Sequence, residues 1–268
     1  MELKATPQGL LIYMTMVAFL LAASLLKTRH KTVGRGFWFA GFVFATVSVI
    51  YRGLDTGHPP MQNLFEFFIC MAAFLWPLAQ VSRYQTGSDT DFQDALLGLV
   101  ILFPAGFVFS ADPRQLPPAL QSPLFIPHVG SYVAAYIILA RSAFMALPLF
   151  KCVGPLTADD PRYTALARAD AVSRQTAAMG FVLMTVGLFL GSIWGKICWG
   201  HYWQWDPKEM WSLATWFMYA AYFHFRLRNG VRYPLGLAIL LWLGFLFVVL
   251  TLTWINVSRL FSGMHTYA

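Results

Sequence analysis

Apolar stretches of about 20 residues recur along the whole chain, each bounded by charges or by Gly and Pro. As a helix, such a stretch rises about 30 Å, the thickness of a bilayer's hydrocarbon core. The pattern predicts a bundle of membrane-crossing helices. The composition agrees: of 268 residues, 58% are hydrophobic and 12% charged, about half the charged share of a soluble domain. No polar segment is long enough for a separate soluble domain, and there is no internal repeat. The expectation is an all-α polytopic protein with one membrane domain over 1–268.

The first stretch, about Leu10 to Leu26, is not built like a secretory signal, in which basic residues come first and a small-residue cleavage site follows. Here Lys27-Thr28-Arg29-His30-Lys31 follows the stretch and Lys4 alone precedes it, the pattern of a retained helix ending in the cytoplasm. Eight spans are expected, at roughly 9–26, 36–52, 63–82, 92–110, 129–150, 175–193, 209–227 and 233–256. With the N-terminus outside, twelve Lys and Arg fall in cytoplasmic loops and six in outer segments, while Arg141 lies within the fifth span. This bias follows the positive-inside rule and predicts both termini on the extracytoplasmic side. The net charge of +7 is explained by these loops, so membrane lipid, and no nucleic acid, is expected as a partner. Cys70, Cys152 and Cys198 form no C-x-x-C pair, which argues against a disulfide framework or a thiol-redox role.

The orientation sorts the side chains that can do chemistry. Outside lie the loop with His58, the Pro-rich loop ending at His128, the segment 194–211, and the tail with His265; His30 is inside. His224 sits about 22 Å into the seventh span, and an ionisable group at that depth is a functional candidate by default. Six of the ten tryptophans fall between Trp194 and Trp216. Trp203 and Trp205 are two apart, so an extended segment would project both rings to one side, a surface suited to a flat, polarizable molecule. Asp206-Pro207-Lys208-Glu209 reads as a helix start, with Asp206 capping and Pro207 first. An interfacial aromatic belt accounts for some tryptophan at a membrane boundary, but not for six beside a helix start. Spacing alone leaves His128 and His265 as ordinary interfacial histidines and His224 open to an interhelical hydrogen bond.

The stretch Trp199-Gly-x-Tyr-Trp-x-Trp-Asp-Pro-Lys-Glu-x-Trp-Ser-Leu-x-Thr-Trp resembles the WWD signature of heme-handling membrane proteins. In detail it is similar to the CcsA (ResC) family of System II cytochrome c assembly, with the WWD segment at about 194–216 lying on the outer face. Four further segments carry the resemblance: Gly57-His-Pro-Pro-Met-Gln-Asn63 through Glu66, His128-Val-Gly-Ser-Tyr-x-x-x-Tyr, Tyr222-Phe-His224-Phe-Arg226, and Ser262-Gly-Met-His265-Thr-Tyr267. Together they cover about 57–268.

The resemblance implies that His128 and His265 are the axial ligands of heme b at an outer site. Trp194, Trp199, Trp203, Trp205, Asp206 and Trp211 would form the heme-contacting segment above it. His224 would hold heme within the membrane, paired with a histidine of a CcsB (ResB)-type partner. The implied function is heme export and presentation to the C-x-x-C-H motif of apocytochrome c, with holocytochrome c synthase (heme lyase) activity only in complex with that partner. The chain shows no fused partner domain, so a separate partner is expected. Location follows as a bacterial cytoplasmic (inner) membrane, or a thylakoid membrane in a plastid. Lys196, Lys208 and Arg52 are on the correct face to meet heme propionates, although each also suits a solvated loop charge. His201 occupies a variable position of the motif and is not assigned; His58, Glu66 and Arg141 have no settled role. One departure is Gly-Lys-Ile-Cys between Trp194 and Trp199, where relatives more often carry Asn and Glu. The competing function is a HemX-type membrane regulator of tetrapyrrole synthesis, which shares eight spans and a WWD-like loop.

Overall fold

The computed structural model describes residues 4–113 and 115–254, and the regular structure among them is helical. The helices are α1 Pro7–Leu26, α2 Lys31–Thr56, α3 Leu64–Thr86, α4 Asp91–Phe107, α5 Phe125–Met145, α6 Tyr163–Trp199, α7 Pro207–Asn229 and α8 Pro234–Val249. Each expected stretch coincides with one of them. Helices suit this sequence because they satisfy their own backbone groups where no water is available. Six are long and apolar enough to cross a membrane: α1, α2, α3, α6, and α5 and α8 together with the turns that follow them. The chain is thus a multi-pass membrane protein. Of the other two, α4 has only 17 residues with Asp91 and Asp94 in its first turn. The remaining helix, α7, carries Lys208, Glu209, His224, Arg226 and Arg228.

The chain divides into two compact units, with the border between Val129 and Gly130, inside α5. In the first, α1 packs on α2 and α4, and α3 packs on the same two helices. Phe19 of α1 is fully buried, with its ring wedged between Gly41 of α2 and Gly98 of α4. A Cβ would lie 2.3 Å from the ring at Gly41 and 2.6 Å at Gly98, so only glycine fits either position. One end of this unit is closed by ion pairs: Lys31 and Arg35 of α2 and Arg83 of α3 all meet Asp89 in the loop before α4. At the opposite end Arg52 pairs with Glu66 in the interior.

In the second unit, α7 packs between α6 and α8. Arg226 binds Asp170 of α6 at 2.8 Å, and the Trp216 indole donates to Thr185 of α6 at 2.9 Å. The hydroxyls of Thr215 and Thr251 meet at 3.1 Å. Ser212 hydrogen-bonds Tyr132 and Tyr136 of α5. Ser212, Thr215, Tyr219 and Tyr222 make up the buried face of α7, at the three- and four-residue steps of one helix side.

Candidate functional site

The tryptophan-rich segment is built in two parts. Its first part is helical, because α6 runs on to Trp199 beyond the expected span end at 193. Trp194 is buried, and its ring meets that of Trp199 edge-on, with centroids 4.9 Å apart. Gly200 ends the helix at φ +83°, a conformation that glycine adopts without penalty. Lys196 closes the turn, donating from Nζ to the Gly200 carbonyl at 2.8 Å and lying 5.5 Å from the Tyr202 ring centroid.

The second part is a ledge clamped by one carboxylate. Glu209, in the first turn of α7, accepts hydrogen bonds from the backbone N–H groups of Gln204 at 2.8 Å and Asp206 at 3.1 Å. Those two donors flank Trp205, which is the residue forced into a left-handed backbone, φ 60°. Trp205 is 66% exposed. Its ring stands edge-to-face on Trp203, interplanar angle 89° and centroids 5.8 Å apart. The pair therefore meets at a right angle rather than as a flat common face, since the left-handed residue interrupts the alternation of an extended strand. Asp206 caps α7, accepting from the Lys208 N–H at 2.9 Å, and with Glu209 completes a capping box with Pro207 first, as the sequence predicts. Burial pushes the half-buried Lys208 ammonium down to about 8, against the opposing pull of Asp206. Trp211 turns its ring towards Phe247 of α8, centroids 5.6 Å apart.

The first unit holds His128. It is half-buried in the first turn of α5, and its backbone N–H donates to the Leu124 carbonyl at 3.0 Å. The loop leading to it is tied down from below. Arg52, 2% exposed, donates to the carbonyls of Ala111 at 2.5 Å and Asp112 at 3.1 Å. Its Nε meets Glu66 Oε1 at 3.0 Å, and Gln62 donates to the Gln115 carbonyl at 2.8 Å. The carboxylate of Glu66 also accepts the Gln62 N–H at 2.9 Å. Arg52 thus holds a loop against two helices, a set of contacts that no local spacing announces.

His224 is exposed on α7, on the side away from Ser212, Thr215, Tyr219 and Tyr222. His201 is exposed and His58 half-buried, its Nδ1 3.0 Å from the Pro59 carbonyl. Arg141 is fully buried. His265 lies outside the described residues. Among the described residues no three His, Cys, Asp or Glu side chains gather to hold a metal ion. The Glu209 clamp and the exposed face of α7 were not foreseen; Glu209 three residues after Asp206 is the local signal that points to the clamp.

A model of the family described as Cytochrome C assembly protein matches residues 61–265. The cytochrome c biogenesis protein CcsA of Prochlorococcus marinus subsp. pastoris is 32% identical, over 84% of this chain and 80% of its own length. The CcsA of a Synechococcus is 31% identical, over 85% of this chain and 82% of its own. That of Chlorella vulgaris is 29% identical, over 83% and 81%.

Proposed function

Since the chain belongs to the cytochrome c assembly family and its CcsA branch, we propose that it binds heme b, carries it across the membrane and presents it for attachment to apocytochrome c. The observation that carries this reading is the ledge of Trp203 and Trp205, fixed by Glu209 with the Trp205 ring held open to the surroundings. A ring clamped in that way offers apolar contact to a flat macrocycle without first having to be ordered. In the proposal His128 and His265 are the axial ligands of the outer heme, and Trp194, Trp199 and Trp211 support the ledge. Lys196 and Lys208 answer the propionates, while Arg52 holds the loop that leads to His128.

The exposure of His224 favours a partner. A ligand on the outer side of α7 leaves the second axial position and the opposite wall of the porphyrin to another polypeptide, in this reading a CcsB (ResB)-type protein. The membrane is the cytoplasmic membrane of a bacterium or the thylakoid of a plastid. This chain supplies position and electrostatics, and the reacting groups are the porphyrin's vinyl groups and the reduced thiols of the C-x-x-C-H motif, which add to form thioethers.

Spectra of the reduced and oxidised protein test this, purified with its partner as wild type, His128→Ala, His265→Ala and His224→Ala. Low-spin bis-histidine spectra, lost on changing either outer histidine and restored by added imidazole, are expected. Wild type that carries no heme with the partner present sinks the reading.

A further inference from the structure

At 100° per residue α7 presents two opposed faces. One is the buried face already described. The other carries Phe217, Ala221, His224 and Arg228 at steps of four, three and four, and all four are exposed. Arg226 points to the buried side and is neutralised by Asp170. Among the described residues no carboxylate pairs with Arg228.

Resting on the functional reading above, which already seats the membrane-site heme at His224, we propose that Arg228 binds a propionate carboxylate of that heme, with Ala221 and Phe217 lying against its ring. An imidazole ligand points away from its helix, and the porphyrin plane stands across the iron–nitrogen bond, so the macrocycle lies along the helix surface. Ala221, one turn from His224, leaves room for the ring to approach, and Phe217 meets the apolar edge deeper in the span. Arg228 is four residues, about 6 Å, further towards the other end. That displacement, lengthened by the flexible Arg side chain, brings a guanidinium to the carboxylate edge of a ring centred on His224. A planar guanidinium matches a carboxylate with two parallel hydrogen bonds. A positive charge near an inner loop also satisfies the positive-inside rule without any ligand, so the distinction rests on selectivity for the carboxylate.

The experiment uses the chain purified with its partner in a His128→Ala background, which silences the outer site. It is titrated with iron protoporphyrin and, separately, with the iron complex of the dimethyl ester, in which the propionates are blocked. The parent is expected to prefer the free acid. Arg228→Gln should weaken binding of the free acid about tenfold, leave the ester and the low-spin spectrum unchanged, and so erase the preference. Arg228→Lys should restore part of it. An unchanged acid-to-ester ratio in Arg228→Gln overturns the propionate assignment while leaving His224 as ligand. Ala221→Phe should block both pigments equally with the protein still present in the membrane; normal binding in that variant overturns the flat-lying seat. If the parent binds neither pigment with a His224-dependent spectrum, the functional reading fails, and this inference fails with it.

Discussion

Trp205 shows how one carboxylate shapes a site. A bulky residue at φ 60° pays a steric cost of order 1–2 kcal/mol, and two hydrogen bonds to Glu209 offset it. Bonds to a charged acceptor contribute about 1.5–3 kcal/mol each when the partner is ionised. The same carboxylate completes the capping box of α7, so the ledge and the helix start share a single dependency. Glu209→Ala removes the one oxygen that accepts both backbone N–H groups. It is expected to lower stability by about 1–2 kcal/mol and to free the Trp205 ring. Thermal unfolding in detergent measures the first effect. A rise in Trp fluorescence quenching by a water-soluble quencher, without loss of the helical signal, measures the second. Unchanged quenching would show that the clamp does not set the ring's position.

Among the elements, Asp206-Pro207-Lys208-Glu209 was legible because a cap is local chemistry, complete within four residues. The true length of α6 was not. Its start at Tyr163 lies ahead of the apolar stretch, in a polar run rich in Ala and Arg that forms helix well but has no hydropathy signal. Its end at Trp199 passes Gly195 and Lys196, which read as a loop until Trp194 and Trp199 are seen to pack together. The role of Arg52 was hidden for a different reason. Its acceptors, the Ala111 and Asp112 carbonyls, are backbone groups about 60 positions away, and backbone leaves no mark in a sequence. Glu66→Ala would leave that buried guanidinium only the more distant, half-exposed Asp55 at 3.9 Å as a carboxylate partner, at a cost of about 3 kcal/mol. Unfolding in detergent should show a loss on that scale, with faster proteolysis in the 108–124 loop. A loss no larger than that of an exposed substitution would mean that water already screens the pair.

At the scale of the molecule, helix number and order follow from hydropathy, whereas the division into two units does not, because its border falls within α5 and interrupts no apolar stretch. The first unit is fastened at one end by the buried Arg52–Glu66 pair and at the other by an open cluster. There Asp89 receives Lys31 at 2.5 Å, Arg83 at 2.8 Å and Arg35 at 3.0 Å, while Asp91 pairs with Arg35 and Arg83. Partial burial alone would raise the Asp89 carboxyl. The hydrogen bond from Lys31, the Asp91 backbone N–H and the charge of Arg83 outweigh it and bring the group down to about 2. The unfolded chain, titrating near about 3.9, binds more protons than the folded one between these values. The cluster's contribution is therefore complete above about pH 4 and is lost as pH falls through about 2. With Asp89 36% exposed, solvent and salt reduce that contribution. Melting temperatures of wild type and Asp89→Asn, measured in detergent from pH 7 to pH 2, should differ at neutral pH and converge in acid, with the gap narrowing as salt is added. A gap that persists at pH 2 would assign the stabilisation to packing at this end of the unit instead of to charge.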